Sequence, residues 1–284
     1  MGVEIVTVGT ITKDSISSGK AHFSSFGGAP FFASLIFSGF GIKCGVVSKV
    51  GRDFKQSLFN RKFVDMCGMK FVDNTTEMNI NETKEDTTAK LSKFTGSLAL
   101  SLVPKSFMCA GCFLISPLAG EVSLRMISGI RSRSSGVIAL DIQGFTRPRL
   151  RKGKSRVLSD AIKKRPKNLE KLLENVDVLK CNELEFNIIS GNGTALQRAR
   201  RLAKLGPKTI VITMGEKGVA VFSENRMRRF SPKKLRPAHT VGAGDKFFAL
   251  FLSHFMRTGD AFLSASQATD SIQSLLAKNG DRYD

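Results

Sequence analysis

Residues 3–9, VEIVTVG, with PFFASLIFSGFG at 30–41 and KCGVVSKVG at 43–51, decide the fold class. The first run is rich in β-branched residues and stops at Gly9, as a buried strand entering a loop does. The second has helical length and near-continuous apolarity, with Pro30 suited to a first turn and Gly39 and Gly41 as stops. The third returns as a strand. Together they form a β-loop-α-β unit, from which parallel sheets are built.

Outward from this unit, apolar runs recur at CFLIS, GVIALDI, VDVLKCN, TIVITMG and GVAVF. Segments of helical length, such as EVSLRMISGIRS and GTALQRARRLAKLG, separate them. The alternation predicts an α/β fold with a doubly wound, mostly parallel sheet, flanked by helices on both faces and binding ligands at the carboxyl ends of its strands. Residues 70–96 are polar, threonine-rich and partly alternating, which predicts exposed antiparallel strands. Near the end, KFFALFLSHFMRTG predicts a helix buried on most sides, followed by a last helix capped by Asp260. No repeat and no long linker divides the 284 residues, so a single domain is expected over 1–284.

Composition narrows the function classes. With 42% hydrophobic and 24% charged residues, the chain has the profile of a folded protein and not of a disordered one. No apolar run approaches the roughly 18 residues that cross a bilayer, and the start lacks signal-peptide features, so a cytoplasmic location is expected. Five cysteines in a chain of this size argue against a disulfide framework. Cys109 and Cys112 lack a second pair or a close histidine, so they are read as buried strand residues instead of half a metal or redox site. The 44 Lys+Arg against 24 Asp+Glu give +20, concentrated in RPRLRKGKSR and KKRPK without interleaved aromatics. This excess is read as a solvated surface or a field that draws in phosphorylated ligands, and nucleic acid is not expected as a partner.

The chemistry concentrates in HTVGAGDKFFA, residues 239–249. Gly242, Ala243 and Gly244 precede the buried helix, where small residues let backbone N–H groups approach an anion. Asp245, in the first turn, can accept a proton from a hydroxyl beside that cradle. A glycine-rich turn with a helix-capping aspartate explains the same four residues equally well.

The run TVGAGDKFFA resembles the C-terminal signature of the PfkB/ribokinase-type carbohydrate kinases, usually DTxGAGDxF. The resemblance extends over most of the chain and implies a ribokinase-like fold with a small β lid, formed near 11–26 and 70–96. It implies an anion hole at Gly242, Ala243 and Gly244 and a catalytic base at Asp245. FGGAPFFASLIFSGFG is similar to the family's glycine pair, with Gly27 and Gly28 lining the acceptor. Asp14 resembles the aspartate that hydrogen-bonds acceptor hydroxyls, although a turn aspartate is the plain alternative. CNELE matches the family's NxxE motif, so Asn182 and Glu185 would position magnesium through water, with helix capping as the rival. TMGEKGVAVF resembles the nucleotide-side segment, placing Thr213, Gly215 and Gly218 near ATP. LDIQGFTR looks like the inositol-kinase-like branch, in which Gln143 and Arg147 line the acceptor pocket. His239 stands where the family usually has aspartate, which puts a monovalent-cation requirement in question.

The implied function is transfer of the ATP γ-phosphoryl group, with Mg2+, to a sugar or polyol hydroxyl. A nucleoside kinase and a non-catalytic sugar sensor of the same fold are the alternatives, and a homodimer is compatible with the resemblance.

Overall fold

The computed structural model describes residues 2–19, 21–82, 87–158, 163–232 and 242–278. Strand β1 (Ile5–Gly9) is followed by the hairpin β2 (Thr12–Ser18) and β3 (Ala21–Gly27), helix α1 (Ala29–Gly39) and β4 (Cys44–Gly51). Next come β5 (Val64–Val72), β6 (Thr76–Glu82), β7 (Thr87–Ser92), β8 (Cys112–Ser116), α2 (Leu124–Arg131) and β9 (Val137–Asp141). The short α3 (Gln143–Thr146), β10 (Arg156–Val157), α4 (Leu169–Leu173), β11 (Val178–Asn182), α5 (Glu183–Ser190) and α6 (Ala195–Ala203) follow. The chain continues through β12 (Thr209–Thr213), β13 (Val219–Ser223), β14 (Arg226–Phe230), α7 (Ala243–Thr258) and α8 (Ala261–Lys278).

Nine strands form the large sheet in the order β14-β13-β12-β11-β9-β8-β1-β4-β5. All neighbours from β5 to β12 are parallel, and β13 and β14 add an antiparallel edge. Side chains alternate across it as the pleat requires. Ile5, Cys44 and Val46 face one core with α1, α7 and α8. Val6, Val8 and Val47 face the other with α2, α4, α5 and α6. This is the doubly wound, mostly parallel arrangement expected from the alternating runs. Chain order runs outward in opposite directions from β1 and β8, and such a switch point is where open α/β sheets place ligands, beyond the strands' carboxyl ends.

A second sheet has the order β10-β7-β6-β2-β3. Ile16, Met78, Ile80 and Leu91 on one side of it pack with Phe94, Leu118, Ala119, Leu150 and Leu158. Its strands come mainly from the two segments expected to form a lid, with two differences. Residues 70–72 belong to β5 and so to the large sheet, and Arg156–Val157 contribute an edge strand. Residues 83–86, inside the second segment, lie outside the described residues.

Asp260 caps the last helix as expected, its Oδ1 accepting from the backbone N–H of Phe262 (2.8 Å) and Leu263 (3.0 Å). The reading of Cys109 needs correction. Cys112 is buried at the start of β8, but Cys109 ends a 3-10 turn that finishes before the strand begins, and it is exposed. No helix among the described residues is long and apolar enough to cross a membrane.

Candidate functional site

The N-terminus of α7 is built around Gly242, whose φ of 72° and ψ of 6° lie in the left-handed region. A Cβ there would overlap the ring of Phe32 from α1, so both the backbone and the packing call for glycine. The Gly242 carbonyl accepts from Lys246 N at 2.9 Å, which starts a helix of 16 residues. Its first-turn N–H groups have no acceptor within the helix, and the dipole adds partial positive charge at that end.

Beneath this turn lies Lys180 of β11, only 5% exposed, with Nζ 2.6 Å from Oδ2 of the 1% exposed Asp141. The same Nζ is 3.6 Å from where a Cβ on Gly244 would sit. Asp245, partly buried, is therefore surrounded by charge. Burial raises its pKa to about 6, the Lys180 ammonium opposes that rise, Asp141 and Glu185 reinforce it, and Arg147 opposes it. Lys180 itself is raised, because Asp141, Asp245 and Glu185 together outweigh its burial.

Asp14 projects from β2 and is 2% exposed. Burial brings its pKa to about 6, with the nearby Thr12 hydroxyl moderating the rise and the charge of Asp245 adding to it. Geometrically, however, Asp14 Oδ1 and Thr12 Oγ1 both lack a hydrogen-bond partner among the described residues. A Cβ on Gly27 would collide with the Asp14 carboxylate, so this glycine lets β3 close against it. Gly28, with φ 88°, caps α1 and lies against the Thr10 carbonyl.

Arg147 follows α3, donates from Nη1 to the Leu118 carbonyl at 3.2 Å and leaves a buried Nε without a partner among the described residues. Gln143 opens α3, its backbone N–H donating to Asp141 Oδ1 at 3.1 Å. Asn182 and Glu185 form a capping box at the start of α5, with bonds of 2.8 and 2.9 Å. Glu185 Oε1 also takes the Lys163 ammonium at 2.9 Å. Burial pushes Glu185 up, but Lys163, Lys180 and the Asn182 N–H hold it below the usual range. Both carboxylate oxygens are thus engaged, which favours the capping reading and does not fit direct ligation of a cation. Among the described residues no cluster of three or more His, Cys, Asp or Glu could hold a metal ion.

Thr213 ends β12, Gly215 opens a 3-10 turn and Gly218 closes it at φ 89°. The structure thus brings Asp14, Gly27, Arg147 and Glu185 around Asp245 and its turn, and sets Thr213, Gly215 and Gly218 at the carboxyl end of β12, next to Asn182 of β11. His239 lies outside the described residues. Two participants were not anticipated. Lys180 sits within an apolar strand, where its incongruity was the available signal. Glu121 is fully buried and accepts from Thr10 N (3.1 Å), Thr10 Oγ1 (2.8 Å), Leu118 N (2.7 Å) and Ala119 N (2.9 Å), tying the loops after β1 and β8 together at the switch point.

The profile of the pfkB family carbohydrate kinases matches residues 9–270. A cytidine kinase of Thermococcus kodakarensis is 24% identical over 98% of both chains. A pyrophosphate-dependent kinase in the ribokinase family, complexed with a pyrophosphate analog and myo-inositol, superposes with a TM-score of 0.78 at 21% identity, covering 96% of this chain and 95% of that one. Arabidopsis thaliana ribokinase, complexed with ribose and ATP, gives 0.72 at 17% identity, covering 96% and 92%.

Proposed function

Because the chain belongs to the pfkB family of carbohydrate kinases, we propose that it transfers a phosphoryl group from ATP to a hydroxyl of a neutral sugar or polyol, with Asp245 as the base. One observation carries the reading. The buried Asp14 carboxylate, on β2, lies close enough to Asp245, at the N-terminus of α7, to feel its charge, and burial lifts both above the usual carboxylate range. Asp14 keeps an oxygen without a partner among the described residues, as a receptor for hydroxyl donors requires.

In this reading Asp14 accepts hydrogen bonds from acceptor hydroxyls, and Gly27 and Gly28 bring the backbone alongside. The reacting hydroxyl gives its proton to Asp245 as its oxygen bonds to the γ-phosphorus and the bond to the leaving diphosphate breaks. N–H groups at Gly242, Ala243 and Gly244 stabilise charge on the transferred group, which suits a reaction governed by positioning and electrostatics. Thr213, Gly215 and Gly218 lie on the nucleotide side, and Gln143 and Arg147 on the acceptor side. Magnesium would arrive on the donor's phosphates with much of its hydration retained, since Glu185 is engaged by Lys163 and Asn182. The second sheet, which carries Asp14, would close over the acceptor as a lid and exclude water.

A nucleoside acceptor is the second reading, favoured by similarity to the cytidine kinase along both whole chains. The test is donor consumption against a panel of polyols including myo-inositol, hexoses, pentoses and nucleosides, with ATP and pyrophosphate as separate donors. Stimulation by a sugar or polyol with ATP supports the first reading. Stimulation by nucleosides alone replaces it, and consumption only with pyrophosphate overturns the choice of donor.

A further inference from the structure

Asp141 and Lys180 form the most deeply buried ion pair among the described residues, with side chains 1% and 7% exposed. Neither side chain binds substrate or moves a proton in the proposed reaction. Burying such a pair incurs a desolvation cost that an apolar pair of similar size would avoid, so its position calls for a reason. Lys180 lies in the middle of the sheet, on β11, and reaches under the Gly242–Gly244 turn, with its Nζ beside Gly244. Asp141, its register partner at the end of the adjacent strand β9, accepts a hydrogen bond from that ammonium at 2.6 Å.

We propose that Lys180, locked by Asp141, is a positioning residue that acts through Asp245, a fixed cation beneath the turn that keeps the base anionic and in place. The inference rests on Asp245 being the base.

The groups around Asp245 can be named element by element. Lys180 comes from β11, Asp141 from β9, Arg147 from the chain after α3, Glu185 from α5, and Lys246 from the same helix α7. Asp14 of β2 also senses its charge. Lys180 exerts the largest stabilising influence on the Asp245 anion, ahead of Arg147, while Asp141 is the strongest opposing charge. An electrostatic role therefore predicts opposite effects from removing the two partners. A merely structural role predicts no such pattern.

The test is a 13C NMR titration of the aspartate carboxyl carbons in the full-length chain, with Asp245 assigned by the signal lost in Asp245→Asn. It needs no acceptor, so it stands even if the acceptor panel is negative. Lys180→Met should move the Asp245 midpoint up by about one pH unit or more, and Asp141→Asn should move it down. Lys180→Arg should stay nearer the wild type. Should Lys180→Met lose the fold because it strands the Asp141 charge, the double variant Asp141→Asn/Lys180→Met leaves no unpaired member of the pair buried. Its midpoint should lie above that of Asp141→Asn. Where an acceptor is found, the acid limb of kcat/KM should move with the titration. Midpoints that stay at the wild-type value, or that move in the same direction in both single variants, would overturn the proposal.

Discussion

At the scale of the residue, Asp14 gives the account a consequence in stability. Its pKa rises from 3.8 to about 6 in the folded chain. A carboxylate raised in this way favours the folded state at low pH, and that stability disappears as pH rises through about 6. The difference amounts to about 3 kcal/mol at most. Asp14→Asn should therefore have a urea midpoint close to the wild type at pH 4 and above it at pH 8, together with a higher KM for the acceptor. A wild-type midpoint at both pH values would contradict the buried carboxylate. Asp245 and Asp14 could be singled out as candidates because each lies in a short run whose neighbours carry the pattern. Lys180 was not, since its partner Asp141 is 39 residues away and only the parallel pairing of β9 and β11 brings them together.

At the scale of the element, α7 shows how packing fixes a turn. Gly242 is held in the left-handed region with the Phe32 ring against it, and Lys246 lies over the same ring at 4.8 Å. Gly242→Ala meets both backbone strain and collision. It should cost about 1–3 kcal/mol in denaturant titration. Turnover should fall more than that loss alone implies, because the first-turn N–H groups are displaced. A variant as stable and as active as the wild type would contradict this account of the turn. Helix existence and the β-loop-α-β unit were readable from periodicity and glycine placement. The extension of β5 through Val72 was not, because it depends on pairing with β4, and neither was β10, which gains its definition only against β7. The NxxE run was readable as two chemistries. Its capping box and its ion pair with Lys163 needed the fold to appear.

At the scale of the whole molecule, the smaller sheet that carries Asp14 starts with β2, directly after β1 at the switch point between β1 and β8. The smaller sheet has its own apolar cluster, through which Leu118 and Ala119 connect it to the loop after β8. If it acts as a lid, a bound acceptor should slow amide hydrogen exchange in β2, β3 and β6 while leaving the centre of the large sheet unchanged. Unaltered exchange in those strands under saturating acceptor would remove the closure step. The central claim remains that Asp245 takes the acceptor's proton, and single-turnover phosphoryl transfer by Asp245→Asn against the wild type tests it most directly. The account predicts a rate at least about 100-fold lower, with the fold and donor affinity nearly unchanged. Near-normal transfer by the folded variant would contradict it.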